Sequence, residues 1–390
     1  MNNHNTIFNQ LLNFLPKNKF NQFIGQHNGD RYTKKLTTWN QLILLLYAQA
    51  TGKDSLREIE TGFTLHDNNW YHLGVKTAAK SSLSDANNRR DYRIFEKLFY
   101  ALLEQCKIIA AERNFSFSNP LYSFDATIIR LYLGLFDWAK YSKTKGALKI
   151  HTLLNNRTTI PELLTITDGK VGDITAAKEI DFTTALEKGS IVVFDRAYID
   201  YLWWKKLDKA GIFFVSRVKK GQNIFVVGQH KKSLNKGIVS DERVIFGDYQ
   251  GMNKYPNVLR MIKFYDEETK EVYAYLTNNF DIPAEEIALI YKERWQIELF
   301  FKWIKQNLKI KTFLGTSKNA VMTQIWIAMI YYLLLAYIKF QTKFKKSLLE
   351  LTRMIRETFM LRRNLIDLLS LGIKTVHKLK NLDAPQMSFW

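Results

Sequence analysis

Three carboxylates are the residues of this sequence best suited to do chemistry. Asp125 interrupts an apolar run, Asp195 follows the apolar tripeptide Val-Val-Phe, and Glu298 lies in a segment with helical apolar spacing. Carboxylate oxygens from three such residues would suit hard cations such as Mg²⁺ or Mn²⁺. Two ions could then activate a water or a 3′-hydroxyl at a phosphodiester and stabilise the leaving oxygen. A lone aspartate at a strand end is more often a cap, so the chemistry depends on elements that bring the three together.

The segment around Glu298 reads as one helix with two distinct faces. At about 100° per residue, its apolar residues share a broad face that should pack on a core: Leu289, Ile290, Ile297, Phe300, Phe301, Ile304 and Leu308. Its polar residues form a narrower stripe beside that face: Tyr291, Arg294, Glu298, Lys302 and Lys305. A solvated stripe of mixed charges has the same pattern, so this helix alone leaves both interpretations open.

Composition points to an anionic polymer as partner. The 390 residues include 57 Lys and Arg against 37 Asp and Glu, a formal net charge of +20. A basic excess of that size on a folded chain favours nucleic acid first and a membrane surface second. Cys106 is the only cysteine, which excludes a disulfide framework and a cysteine zinc site and fits a reducing cytoplasm. The first residues do not have the pattern of a signal peptide.

One apolar segment tests the alternative of a membrane protein. Residues 320–338 carry no charge and are just long enough to cross a bilayer. Gln324 lies within the segment, and no second segment of this kind occurs. We therefore expect a buried helix and no membrane.

The pattern along the chain predicts an α/β architecture. Residues 1–112 read as helices and form the expected helical, DNA-binding N-terminal domain. Residues 113–310 change to strands with a β–α alternation, and residues 211–279 stay rich in strand formers, which predicts a β subdomain inserted before the Glu298 helix. Residues 311–390 read as helical again and end in a basic amphipathic run.

Spacing on the Glu298 helix carries a resemblance to a known family. The pattern Tyr291-x2-Arg294-x3-Glu298-x6-Lys305 resembles the signature of DDE transposases of the bacterial insertion-sequence-four family. The stretches DATIIRL, VVFDRAY and LSDAN are similar to the same group. The resemblance implies a ribonuclease H-like catalytic core with a β insertion before the glutamate helix.

The resemblance also implies a role for each residue of the site. The catalytic and metal-binding residues would be Asp125, Asp195 and Glu298, holding Mg²⁺ or Mn²⁺, as two ions. The residues that contact DNA phosphates would be Tyr291, Arg294 and Lys305. Two further residues, Arg196 and Tyr198, would either touch DNA or hold the active-site loop.

The implied reaction is cut-and-paste transposition of an insertion sequence. Cleavage at the transposon ends, a hairpin intermediate and strand transfer would act on double-stranded DNA, both terminal inverted repeats and target. Two ends must be held together, which implies a homodimer, with the run from Lys345 to Leu371 as one candidate contact and packing on its own core as the alternative. A bacterial cytoplasmic protein associated with the nucleoid is expected.

One departure from the family concerns base stacking in the β insertion. Relatives use a tryptophan there, but this chain has none between Trp204 and Trp295. Tyr249 and Tyr255 are the candidates to replace it.

Two other functions remain open from sequence. A ribonuclease H-like nuclease such as a resolvase would cut DNA without joining ends. A DNA-binding protein derived from a transposase would bind without catalysis, although it would not need the three carboxylates.

Overall fold

The structure is a computed structural model that describes residues 5–76, 78–142, 145–230, 237–308, 310 and 312–370. Its α-helices are α1 (Ile7–Leu12), α2 (Lys17–Gln26), α3 (Thr38–Thr51), α4 (Leu56–Thr64), α5 (Trp70–Leu73), α6 (Lys80–Arg89), α7 (Arg93–Ile109), α8 (Asp173–Glu179), α9 (Phe182–Ala185), α10 (Tyr201–Lys209), α11 (Tyr249–Lys254), α12 (Ala284–Glu293), α13 (Trp295–Asn307), α14 (Lys318–Gln341), α15 (Leu348–Thr358) and α16 (Leu365–Ser370). Its strands are β1 (Leu121–Leu131), β2 (Gly146–Asn155), β3 (Pro161–Asp168), β4 (Ile191–Val193), β5 (Phe213–Arg217), β6 (Ile224–Gln229), β7 (Ile238–Phe246), β8 (Leu259–Asp266) and β9 (Glu271–Thr277). The chain divides into two compact units: residues 1–111, 134–138 and 303–390 form the first, and residues 112–133 and 139–302 form the second.

The first unit is built of helices around α14. This helix packs on α3, α7 and α15 and is buried along nearly its whole length. Within the described residues it is the one helix long and apolar enough to cross a membrane, but 94% of its most apolar window is buried inside the protein. Gln324 fits this setting because its amide donates to the carbonyl of Thr312 and accepts from the N–H of Leu314, both at 2.8 Å. The prediction of a buried helix here is confirmed.

The second unit is a mixed α/β structure around one sheet. In the described residues the sheet has nine strands in the order β3-β2-β1-β4-β5-β9-β8-β7-β6. Strand β4 runs parallel to β1 and to β5, and the other neighbouring pairs are antiparallel. Side chains alternate between the faces, as strand geometry requires. In β4, Val192 joins a core with α10, whereas Ile191 and Val193 join a core with α12.

Strand positions agree with the sequence pattern better than helix ends do. Strand formers at residues 121–133, 146–154 and 161–170 predict an antiparallel meander, and β1–β3 lie there. Strands β5 to β9 lie within residues 211–279. That stretch also contains α11, a helix the pattern did not predict, which begins where Asp248 accepts a hydrogen bond from the N–H of Gly251 at 2.7 Å. The sequence pattern of residues 176–189 predicts one helix that ends at Gly189. This prediction is wrong, because the structure has two short helices, α8 and α9, and the second ends at Ala185.

Candidate active site

Asp125 and Asp195 are positioned by the parallel pairing of β1 and β4. The last paired residues of the two strands are Ser123 and Val193. Asp125 and Asp195 each follow two residues later, and they lie on the face that holds the core with α12. Neighbouring strands are about 4.8 Å apart, so the register sets the two carboxylates next to each other. The carboxylate of Asp195 contributes electrostatically to the raised pKa of Asp125, as expected for close neighbours.

Glu298 reaches the same site through α13. The expected single helix is two, because α12 ends at Glu293 and α13 begins at Trp295. Between them the N–H of Arg294 bonds to the carbonyl of Tyr291 at 3.1 Å, and the N–H of Ile297 bonds to the carbonyl of Arg294 at 3.2 Å. These bonds span three residues instead of four and tighten one turn. The tight turn lies immediately before Glu298 and carries Arg294.

The apolar side chains of α12 and α13 are buried largely as the sequence pattern predicts. Six residues expected to be buried are buried: Ile290, Ile297, Phe300, Phe301, Ile304 and Leu308. The prediction for Leu289 is wrong, since its side chain is 53% exposed. Leu289 lies in α12, before the tight turn, so one helical wheel drawn through both helices misplaces it.

Arg294 joins two of the three carboxylates. One guanidinium nitrogen lies 2.5 Å from Oε1 of Glu298, and another lies 3.6 Å from Oδ2 of Asp125. The Arg294 side chain is 17% exposed, and its Nε is buried with no acceptor in the described protein. One cationic group therefore spans the site and pairs with two of its carboxylates.

Burial sets the protonation of Asp125. Removal of its carboxylate from water is the largest cause of a pKa raised to about 6, and the nearby carboxylates of Asp195 and Glu298 contribute to the same rise. A hydrogen bond from the N–H of Ala126 and the charge of Arg294 oppose this change. A carboxyl group with a pKa this close to neutral is the kind of perturbed group found at functional sites, and a nearby cation favours its charged form.

The residues after Asp195 separate into one exposed and one buried side chain. Asp195 itself is partly exposed and accepts a hydrogen bond from the N–H of Ala197 at 2.8 Å, so it also caps the short 3₁₀ turn that follows. Arg196 is exposed. Tyr198 is only 1% exposed, and its ring packs on Phe124 with centroids 5.2 Å apart. Contact between Tyr198 and DNA is therefore wrong as a prediction, because the ring is inside the core; of the two roles considered, packing beneath the loop fits.

Tyr291 and Lys305 lie on the two helices that flank Arg294. The ring of Tyr291 packs against Tyr275 with centroids 4.8 Å apart, and burial raises its pKa. Lys305 follows Glu298 by seven residues on α13, which returns it to nearly the same side of the helix, and it is half-buried.

Arg217 is a basic residue near this site that the sequence pattern did not single out. It ends β5, and its guanidinium lies 4.2 Å from the centroid of the Tyr273 ring. Its charge lowers the pKa of Tyr291. Its position at the end of a strand neighbouring the Asp195 strand is the one signal that could have found it.

The donor set suits a hard cation, although a guanidinium spans two of the donors. Among the described residues no group of three Asp, Glu, His or Cys side chains already surrounds a position for an ion. Asp125 and Glu298 nevertheless pair with one guanidinium, so both lie within reach of a single cation, and the strand register brings Asp195 beside Asp125. Three oxygen donors of this kind fit Mg²⁺ or Mn²⁺.

The two tyrosines considered for base stacking differ in exposure. Tyr255 is 1% exposed and donates its hydroxyl hydrogen to Asp208 at 3.0 Å, so it is a core residue. Tyr249 is 84% exposed at the first residue of α11. Of the pair, only Tyr249 is accessible to a nucleic-acid base.

The amphipathic run considered for dimer contact is buried in the first unit. Five of its seven apolar anchors are covered: Met354, Ile355, Phe359, Leu365 and Leu368. The other two, Leu348 and Leu349, are half-buried. Phe359 stacks on Phe8 with centroids 4.1 Å apart, and the carbonyl of Leu361 accepts from the N–H of Ile7 at 2.9 Å. This supports packing on the chain's own core over a dimer interface. Leu371 lies outside the described residues.

Comparisons with known proteins agree on one family. A family model described as a transposase DDE domain matches residues 117–334, and a model described as a domain of unknown function matches residues 3–76. The chain is 35% identical to "Putative transposase y4zB" of Sinorhizobium fredii, over 73% of this chain and 78% of that protein. It is 27% identical to "Probable transposase for insertion sequence element IS5377" of Geobacillus stearothermophilus, over 88% of this chain and 87% of that protein.

Proposed function

This chain belongs to the DDE transposase family, and from that membership we propose that Asp125, Asp195 and Glu298 are its catalytic carboxylates. The protein is a transposase, an enzyme whose family cleaves DNA and transfers strands with divalent metal ions. The register of β1 and β4 carries the assignment, since it sets two aspartates side by side on the face where Arg294 links Asp125 to Glu298.

The three carboxylates would hold Mg²⁺ or Mn²⁺, as two ions. When bound, such ions activate the attacking oxygen and stabilise the leaving one. The chain's own contribution is to hold the carboxylates in register and to keep Asp125 partly buried, where its charge interacts strongly with cations. Arg294 neutralises two of the carboxylates while no other cation is bound.

The DNA contacts would come from basic residues around the carboxylates. Arg294 pairs with Asp125 and Glu298 through its terminal nitrogens, and these would turn to a phosphate when metal ions take the carboxylates. Lys305, Tyr291 and exposed Arg196 would add contacts, and Arg217 joins them because its charge acts on Tyr291.

A ribonuclease H-like core within residues 113–310 is supported by part of the strand order. The run β3-β2-β1-β4-β5 combines an antiparallel meander with two parallel strands. Asp125 lies on β1, and Asp195 follows the last residue of β4 by two positions. Strands β6 to β9 extend the sheet and would be most of the β insertion expected at residues 211–279, whose first strand, β5, would belong to the core. Residues 1–112 would serve as a helical DNA-binding domain, and residues 311–390 would complete the helical core.

The reaction would be cut-and-paste transposition in the manner of the insertion-sequence-four group. A homodimer would hold two terminal inverted repeats of the element in the bacterial cytoplasm, at the nucleoid, before transfer to target DNA. If a hairpin forms, exposed Tyr249 is the tyrosine able to stack on a displaced base.

Cleavage of transposon-end DNA tests this assignment. The inverted repeats are read from the DNA that flanks the gene, and a duplex with one repeat is incubated with Mg²⁺ and the protein. Asp125→Asn, Asp195→Asn and Glu298→Gln should each lose cleavage and keep end binding, because the charge that holds the ions is removed. Glu271→Gln, an exposed glutamate on β9, should cleave normally. Cleavage at the normal rate by any of the three variants would remove that residue from the site.

A further inference from the structure

Residues 27–37, here named the basic loop, connect α2 to α3 and carry an exposed cluster of cations. Arg31, Lys34 and Lys35 are exposed, and Tyr32 among them is 87% exposed. The first 53 residues contain six Lys or Arg and one acidic residue, Asp30. The outer side of this loop therefore presents positive charge around one aromatic ring.

The single carboxylate of the loop bonds to the start of α3. Asp30 accepts hydrogen bonds from the N–H of Thr38 at 2.6 Å and from its hydroxyl at 2.8 Å, at the start of α3. It therefore stabilises a helix N-terminus and offers little neutralisation to the outward lysines.

A buried arginine, Arg90, stabilises the loop through hydrogen bonds. Arg90 is nine-tenths buried, and its guanidinium donates to four groups of the loop: the carbonyls of Gly29 (2.9 Å), Leu36 and Thr37 (3.3 Å) and the hydroxyl of Thr33 (3.3 Å). A Cβ on Gly29 would lie 2.8 Å from Ile94, so the loop backbone packs directly on α7. A loop tied at four points and closely packed keeps one shape before any partner arrives.

Tyr32 and Arg31 contact each other at the tip of the loop. Tyr32 has φ +58°, a left-handed conformation that costs free energy for a residue other than glycine. The Arg31 guanidinium lies 5.0 Å from the ring centroid and donates to the Tyr32 hydroxyl at 3.1 Å. The ring holds the guanidinium in place and leaves its other N–H groups facing outward.

We propose that the basic loop binds the phosphodiester backbone of duplex DNA. Arg31, Lys34 and Lys35 would each contact a phosphate, and Tyr32 would hold Arg31 in position for its contact. Backbone phosphates match this loop because they are closely spaced anions, and fixed cations that meet them release counterions. The loop lies inside residues 3–76, the match to the domain of unknown function. This inference rests on the proposed action on DNA and assigns part of it to a surface other than the carboxylate site.

Two lysine pairs give a matched test of the proposal. The probe is a fluorescein-labelled duplex of mixed sequence, titrated with full-length protein over a range of salt concentrations. Lys34→Ala/Lys35→Ala removes two loop charges. Lys188→Ala/Lys209→Ala removes two exposed charges at the ends of β4 and β5 away from Asp195. The loop variant should weaken binding on the order of tenfold near 0.1 M salt. It should also lower the salt slope by about 1.8, because each of the two lost phosphate contacts contributes about 0.9. The control variant should change neither quantity.

A second variant separates the Tyr32 contribution from folding. Tyr32→Asn should keep the melting temperature, because asparagine adopts left-handed backbone readily. It should weaken duplex binding about threefold, since Arg31 loses the ring that holds it. Tyr32→Phe keeps the ring and should lie between Tyr32→Asn and the unmodified protein.

The outcomes separate this proposal from the proposed function. Duplex binding with equal affinity and salt slope in both lysine variants would overturn the loop assignment and leave the carboxylate site untouched. Failure of the unmodified protein to bind duplex at all would overturn both. Loss of binding to phosphatidylserine vesicles with unchanged duplex binding in the loop variant would make a membrane surface the partner and overturn the DNA assignment.

Discussion

Arg294 places a cation between Asp125 and Glu298, where divalent ions would have to bind. Its guanidinium pairs with both carboxylates in this structure. A metal ion competes with such a pair for the same oxygens, whereas a DNA phosphate would offer the guanidinium another acceptor. Arg294 would therefore couple the affinity for metal ions to the binding of DNA.

Removal of Arg294 should strengthen metal binding in the absence of DNA. Arg294→Ala frees two carboxylates from an ion pair, so we expect several-fold tighter Mn²⁺ binding at pH 8, where Asp125 is ionised. Calorimetric titration of the metal into the DNA-free protein measures this directly. Lys302→Ala removes an exposed charge from the same helix and serves as the control. Equal or weaker Mn²⁺ affinity in Arg294→Ala would show that the guanidinium does not compete.

Asp125 should make stability depend on pH in an unusual direction. Its folded pKa, about 6, is above its ordinary value of 3.8, so the folded chain binds this proton more tightly than the unfolded chain. The contribution of Asp125 to the free energy of unfolding is therefore most favourable below about pH 4 and is lost as pH rises through about 6.

Asp125→Asn tests that sign, because asparagine cannot ionise. The variant should exceed the unmodified protein by about 1–3 kcal/mol in free energy of unfolding at pH 8, and the difference should disappear near pH 4. Denaturant unfolding with a chelator present at the two pH values measures both differences. If Asp125→Asn is no more stable than the unmodified protein at pH 8, then the ionised Asp125 carboxylate does not destabilise the folded chain.

At the scale of elements, α12, the tight turn at Arg294 and α13 act together. The turn brings Arg294 toward Asp125, and α13 then carries Glu298 and Lys305 on one side, two turns apart. A helix therefore fixes the separation between a carboxylate and a lysine, which is the arrangement a rigid phosphate contact needs.

Lys305→Ala should weaken DNA binding through electrostatics alone. Loss of one phosphate contact should reduce the salt slope of end binding by about 0.9. Fluorescence anisotropy at several salt concentrations measures the slope, and Lys209→Ala is the control for loss of one charge. If Lys305 serves only as a solvated surface residue, the slopes of the two variants will be the same.

At the scale of the whole molecule, the C-terminal helices α15 and α16 belong to the core of the first unit. Phe359 stacks on Phe8 and is buried, while Ile366 on α16 is exposed. A homodimer that pairs two DNA ends therefore has to use surfaces other than the buried anchors of this run.

Phe359→Ala should lower stability and leave assembly unchanged. Loss of a buried phenylalanine costs about 3–5 kcal/mol, whereas Ile366→Ala should cost less than about 0.5 kcal/mol at an exposed site. Thermal unfolding and gel shift of paired ends measure the two properties. If Phe359→Ala has normal stability but no longer forms the paired-end complex, Phe359 would belong to the dimer interface.

Local sequence patterns were enough to predict the family and much of the secondary structure. The spacing of Arg294, Glu298 and Lys305 depends on positions along one segment, and the strand-forming runs of β1 to β5 follow from local alternation and β-branched residues. The family followed from the same residues, because a signature of fixed spacing is a local property. The buried character of α14 was also readable, from a run of apolar residues with a single amide.

Which side chains meet and which are accessible depends on the packing of the folded chain and could not be predicted from local patterns. Tyr198 and Tyr255 are buried while Tyr249 is exposed, although all three are tyrosines near turns. The pairing of Arg294 with Asp125 joins residues far apart in sequence. Contacts of this kind depend on strand register and helix packing, and these arise from many long-range contacts that no local pattern contains.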